Sequence, residues 1–177
     1  MRMFEARWRR MMDRCFKEYH NSYKWYGALG VTVCDEWRDY KGFESWVLSQ
    51  DYEGKELDKD IINPDNMVYG PEFCRFVDKE VNKLLTNREA LRGEFPLGVS
   101  KTASGKFRGQ INKGGTKVHL GSCDTAHQAH RLWQFSKVLH LREVAGRQSD
   151  HLIRNGLLTR AERIEYDYYN NLETVKV

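Results

Sequence analysis

The stretch GVSKTASGKFRGQINKGGTKVHLGSCDTAHQAHRLWQFSKVLHL, residues 98–141, decides how this chain folds, because it spells out two alternating strands, a turn and a helix in one run. In GKFRGQIN, Phe107, Gly109 and Ile111 fall on one side of an extended chain, and Arg108, Gln110 and Asn112 fall on the other. Successive side chains of a strand point to opposite faces. After Lys113-Gly114-Gly115, a turn by composition, TKVHLGS repeats the pattern with Val118 and Leu120 inward and Lys117 and His119 outward. The apolar face needs a cover, and the next segment supplies it. Asp124 is placed to cap a helix on which Ala129, Leu132, Trp133, Ser136 and Leu139 recur at helical spacing. What stays open is a polar, basic ribbon. A two- or three-stranded ribbon fits the major groove of DNA, where arginine, lysine, glutamine and asparagine read base edges. The plainer alternative is a basic solvated sheet face in some other small α+β domain. The agreement of strand order, turn and helix weighs against it.

These residues resemble the Apetala2/ethylene-response-factor type of DNA-binding domain over about 45 residues: GV at 98–99, GKF-x-x-x-I at 105–111, V-x-LG at 118–121 and DTA-x-x-A at 124–129. The resemblance implies a small antiparallel sheet packed on one helix and double-stranded DNA as partner. It assigns Gln110, Asn112, Lys117 and His119 to the groove, with Arg108 and Ser100 on the same edge and Lys106 and Lys113 as further DNA contacts. Several members of that family carry arginine or tryptophan where this chain has Ser100, Asn112 and His119, so no base preference carries over.

The 177 residues suffice for one ordinary domain or two small ones, and 40% apolar content with five tryptophans can fill real cores. No apolar run approaches the roughly 20 residues of a membrane span, and the N-terminus lacks a signal-peptide pattern, so the expectation is a cytoplasmic protein with no membrane partner. Formal net charge is only +4, but it is unevenly spread. Residues 91–147 hold ten basic and three acidic side chains, whereas residues 51–90 hold six and ten. The positive charge therefore sits on the ribbon segment, where it attracts phosphates and makes affinity salt-dependent. Cys15, Cys34, Cys74 and Cys123 form no C-x-x-C pair, and we read them as reduced and buried rather than as a structural zinc site. His127 and His130 are expected to face solvent or phosphate.

In the N-terminal half, Trp8, Met11, Met12, Cys15, Phe16 and Tyr19 share one helical stripe, with Arg7, Arg9, Arg10, Arg14 and Lys17 around it. A strand over Val31–Cys34 and a helix near Phe43–Leu48 follow. Periodicity breaks near Arg88–Pro96, the expected domain separation.

Residues 55–85, KELDKDIINPDNMVYGPEFCRFVDKEVNKLL, read as a strand over Leu57–Ile62, a loop, a strand over Cys74–Val77 and a helix to Leu85 capped by Asp78. This ββα outline resembles the HNH endonuclease motif of phage homing-type endonucleases. The resemblance implies a divalent cation held by Asp58 and Asn82, with Asn66 in the loop orienting these groups; strand alternation adds Asp60 beside Asp58, and such hard oxygen ligands suit magnesium. Lys59 stands where that family has its histidine. A histidine titrates near roughly 6.5 and a lysine near roughly 10.4, so Lys59 is a base only if strongly perturbed and otherwise stabilises charge on the phosphate. In a regular strand, moreover, Asp58 and Asp60 point together and Lys59 points away. Singly, each has a plainer explanation: Asp58 and Asp60 as the charged solvent face of an edge strand, Lys59 as a surface lysine, and Asn82 as a partner of a loop carbonyl.

The expected architecture is α+β: an HNH-like ββα nuclease region at 1–90, an Apetala2-type domain at 97–145, and a helical tail of one or two short helices at 146–177. The expected function is metal-dependent hydrolysis of DNA phosphodiesters at sites bound by the second domain, in a bacterial host cytoplasm if phage-encoded. Two alternatives remain open: a catalytically inactive HNH-derived DNA-binding protein, and a module directed at a host protein.

Overall fold

The computed structural model describes residues 3–85 and 94–177, so most of the expected separation at Arg88–Pro96 lies outside the described residues. The fold is mixed α+β, and the chain divides into two units, Met1–Lys79 and Glu80–Val177.

In the first unit α1 (Glu5–Phe16) buries Met11 and Cys15, as the apolar stripe predicts. Glu5 in its first turn and Arg14 in its last complement the helix dipole. The stripe ends early, because Lys17 is extended (φ −107°, ψ 104°) and leaves Tyr19 81% exposed. Next come β1 (Thr32–Val33), the single turn α2 (Asp35–Arg38) and α3 (Tyr40–Leu48). Trp37, Phe43 and Val47 are fully buried with Met11 in one core, where Trp37 and Phe43 meet edge to face at 5.2 Å.

β2 (Glu56–Asp58), β3 (Val68–Tyr69) and β4 (Arg75–Val77) complete the unit. β2 pairs antiparallel with β4, Glu56 opposite Val77 and Asp58 opposite Arg75. β1 and β3 pair in parallel, Thr32 beside Val68, which the sequence pattern did not indicate. The strand expected over Leu57–Ile62 stops at Asp58. Its Oδ1 accepts the backbone N–H of both Asp60 and Ile61, each at 2.7 Å, and this side-chain turn replaces the ladder. Asp58 and Asp60 therefore do not share a strand face.

The second unit starts in α4 (Lys79–Leu85), which follows Asp78 as expected. Its sheet is β5 (Val99–Lys101), β6 (Phe107–Lys113) and β7 (Thr116–Cys123), antiparallel in that order. Behind it lie α5 (Ala126–Gly146) and α6 (His151–Tyr169). Gly109 and Ile111 are buried and Arg108 and Asn112 exposed, so the alternation in β6 holds. Glycine at 109 lets the helix approach, since a Cβ there would stand 2.8 Å from the Ala129 carbonyl oxygen. Glycine at 98 (φ +76°) does the same for Trp133, whose ring would lie 2.0 Å from an added Cβ.

Several details of α5 differ from expectation. Its cap is Thr125, not Asp124: the Thr125 hydroxyl accepts from Gln128 N–H and the Gln128 side chain accepts from Thr125 N–H, each at 3.2 Å. Asp124 pairs with Lys106 at 3.1 Å instead. Because α5 packs on both the sheet and α6, its buried set exceeds one stripe and takes in His130, Gln134, Lys137 and His140. Leu139 is half exposed. His130 is fully buried, not solvent-facing: its Nδ1 lies 2.8 Å from the Leu97 carbonyl oxygen and its Nε2 accepts from Thr174 N–H at 3.0 Å. Where one or two short helices are expected, residues 151–169 form one continuous helix of 19 residues, capped by Asp150.

Candidate functional site

Two groups of polar residues stand out, one in each unit. In the second unit the strand register lines up side chains across the sheet. Ser100, Arg108 and Ser122 form one row, Gln110 and His119 a second, and Asn112 and Lys117 a third. Residues directly opposite each other on antiparallel strands share a face. Arg108, Asn112, Lys117 and His119 are exposed, and Ser100 and Gln110 half-buried. Among the described residues no carboxylate pairs with Arg108 or Lys117, which leaves both cations open to an outside anion.

The far end of this face is shaped by the turn. Gly114 and Gly115 adopt positive φ (57° and 86°), the two-residue hairpin geometry that needs such freedom. Asn112 Oδ1 accepts Gly115 N–H at 2.9 Å, so this side chain shapes the turn as well as lining the face. Lys113 stands half-buried beside it, and Lys106 is exposed at the near edge with Asp124 as partner.

Ser122 was missed by sequence reasoning. Plain alternation from an inward Leu120 places Ser122 on the covered side, but the register slips by one residue between Gly109 and Gln110. That bulge leaves Leu120 without an opposite partner, puts His119 across from Gln110, and turns Ser122 to the side of Arg108. The signal available was Gly121, since a glycine inside a strand marks a bulge or a close approach. Here it does both, because a Cβ at 121 would come within 3.0 Å of the Leu132 side chain.

In the first unit the structure brings together Asp58, Lys59, Asp60 and Asn66. Lys59 is only 7% exposed, and its ammonium donates to Asp60 Oδ1 at 2.5 Å and to the Asn66 carbonyl oxygen at 2.7 Å. The buried Asn66 side chain donates to the carbonyl oxygens of Lys59 (2.8 Å) and Val68 (2.7 Å), while its Oδ1 accepts Val68 N–H at 3.1 Å. Together with the Asp58 turn, these bonds tie residues 58–68 into one closed loop leading into β3. Asn82 lies half-buried on α4, in the second unit.

The buried Cys15 and Cys74 thiols lie within the field of Lys59. Burial pushes the Cys15 thiol up to about 11 and the Cys74 thiol up to about 12, although the Lys59 charge acts in the opposite direction on both. Both thiols are therefore protonated near neutrality. Burial also raises Tyr69, whose hydroxyl accepts from the Arg14 guanidinium at 3.3 Å.

A hard divalent cation prefers carboxylate oxygens that are free to turn toward it. Here Asp58 Oδ1 serves two backbone amides, and Asp60 Oδ1 holds an ammonium. As arranged, this donor set does not fit magnesium, because the place beside Asp60 is filled by the protein's own cation. Among the described residues, no group of three or more histidine, cysteine, aspartate or glutamate side chains is placed to hold a metal ion. Among the same residues, no helix is long and apolar enough to cross a membrane.

No family model, no curated protein and no solved structure matches this chain.

Proposed function

We propose that this chain binds duplex DNA by laying the β5–β7 face of its second unit in the major groove. The observation that carries the reading is the set of rows across the sheet, in which exposed cations and amides stand side by side with no carboxylate among them. Three strands spaced about 4.8 Å apart span roughly 10 Å between outer backbones, which suits a groove about 12 Å wide. Arg108 and Gln110 then reach base edges, His119 and Lys117 follow on the neighbouring strand, and Lys113 and Lys106 meet phosphates at the two ends. The likeness of residues 98–129 to Apetala2-type domains supports the same docking. In this reading Asp58, Lys59 and Asn66 hold a loop of the first unit together and take no part in chemistry. The test is fluorescence anisotropy with labelled duplex DNA over a salt series. Binding that weakens steeply with salt and is lost in Arg108→Ala/Lys117→Ala supports it; affinity independent of both removes it.

A second reading, metal-dependent phosphodiester hydrolysis, is favoured by the order of β2, β4 and α4 along the chain, which follows the ββα outline of HNH nucleases. It requires Lys59 to leave Asp60 before a cation can enter. Plasmid relaxation with and without magnesium, comparing wild type with Asp58→Ala and Lys59→Ala, decides between the two. Nicking that needs magnesium and Asp58 establishes hydrolysis, and intact plasmid under conditions of demonstrated binding leaves the binding protein.

A further inference from the structure

The third row of the β5–β7 face, Asn112 opposite Lys117, differs from the other two in what its side chains can offer. Asn112 lies next to the end of β6, and its Oδ1 accepts the Gly115 N–H at 2.9 Å. The hairpin has a use for this bond. Strand pairing joins Lys113 to Thr116, which leaves the two positive-φ glycines between them outside the ladder.

An asparagine amide carries one acceptor oxygen and two donor hydrogens. With the oxygen turned to the backbone, Nδ2 is left, and it has no partner among the described residues. Lys117, exposed directly across on β7, is a donor only. Side chains so opposed have Cβ atoms about 4.5–5.5 Å apart. The row therefore presents two donors side by side and no acceptor. Gln110 in the second row differs, because neither end of its amide is engaged among the described residues.

In the major groove guanine offers two neighbouring acceptors, O6 and N7, whereas adenine sets an N6 donor beside N7. Cytosine offers an N4 donor, and thymine offers O4 beside a methyl group. An asparagine reads adenine by accepting from N6 and donating to N7 with one amide. Asn112 can do that only by letting go of the Gly115 N–H.

We infer, on the major-groove docking proposed above, that Asn112 and Lys117 together select guanine at one position of the DNA site, because the turn denies Asn112 the acceptor that adenine requires. Two donors meet two acceptors. Asn112 is in this way a specificity-determining residue whose choice is set by the hairpin.

The probes are duplexes enriched by the full wild-type chain from a randomised pool and then varied one base pair at a time, with affinity read by fluorescence anisotropy. Wild type should bind guanine about tenfold tighter than adenine at one position. Lys117→Ala should cut that preference to about threefold. Asn112→Asp keeps an acceptor for the Gly115 N–H and has no donor at neutral pH, so it should lose most of the preference while unfolding at the same temperature as wild type. Asn112→Gln carries its amide one methylene beyond the turn and frees the acceptor, so adenine should come within about twofold of guanine there. Adenine preferred at the position that responds to Asn112→Asp overturns the inference. So does a guanine preference that Asn112→Asp and Asn112→Gln both leave intact. In either case, sequence-specific and salt-dependent binding by wild type still upholds the docking. A wild-type chain that enriches no motif, or binds without salt dependence, removes docking and inference together.

Discussion

The β5–β7 face and the 58–68 loop are built from the same kinds of residue, lysine, asparagine and a charged neighbour, yet they do opposite things with them. On the sheet, Arg108 and Lys117 project from positions whose backbone bonds are already made by neighbouring strands, so the side chains are left over. In the loop there is no ladder between Asp58 and Val68, and the side chains must satisfy the backbone themselves. Asp58 accepts two amides, Asn66 bonds to two carbonyl oxygens and one amide, and Lys59 closes on the Asn66 carbonyl. A polar residue is available for an outside partner only where secondary structure has already satisfied its surroundings.

That contrast can be broken most forcefully in the loop. Asn66→Ala removes three hydrogen bonds from a buried site and leaves their partners unpaired, an expected loss of about 3 kcal/mol in chemical denaturation. If the loop is instead a catalytic element, Asn66→Ala leaves stability within about 0.5 kcal/mol of wild type and abolishes an activity.

A buried cation in the second unit sharpens the comparison through pH. Lys137 is held down to about 8 by burial, against an ordinary value of 10.5, so the unfolded chain binds the proton more readily. Its charge therefore costs stability at neutrality, on the order of 3 kcal/mol, and the cost fades as pH rises from about 8 to about 10.5. Lys137→Met should melt higher than wild type at pH 7, with the gap closing over that window. Burial raises Cys15 and Cys74, which lowers stability at alkaline pH in wild type and variant alike, so the difference between the two proteins isolates the lysine. A gap that does not change with pH contradicts this account of Lys137.

On the sheet the effects fall on binding and not on folding. Arg108→Ala or Gln110→Ala should each cost about 1–3 kcal/mol of DNA affinity and alter sequence preference. Thermal unfolding checks that stability moves by less than about 0.5 kcal/mol. The smallest effect belongs to the turn: Lys113→Ala should weaken binding to all sequences alike and reduce the slope of log affinity against log salt by about one.

How far the sequence could be read follows from the same distinction. β6, β7 and α5 declared themselves because period-two and helical patterns are local, although α5 runs on to Gly146, beyond the Leu141 at which the pattern reads as ending. The bulge opposite Gln110 was hidden, because one extra residue in β7 is visible only against its partner strand. The pairing of β1 with β3 joins residues some 36 apart through two residues each, too short a contact to leave a pattern. The loop misled for a different reason: Asp58, Lys59 and Asp60 have the spelling of a strand, and only the acceptance of two amides by Asp58 ends it. His130 looked like a surface residue of an amphipathic helix because its partners, the Leu97 carbonyl oxygen and the Thr174 N–H, lie 33 residues upstream and 44 downstream.

Selection of bound duplexes from a pool of randomised sequence, run in parallel on wild type and Gln110→Ala, tests the central claim most directly. The sheet-in-groove account predicts that wild type enriches a defined motif and that Gln110→Ala relaxes one position of it while keeping the rest. No enrichment by wild type, or the same motif recovered equally well by the variant, contradicts it.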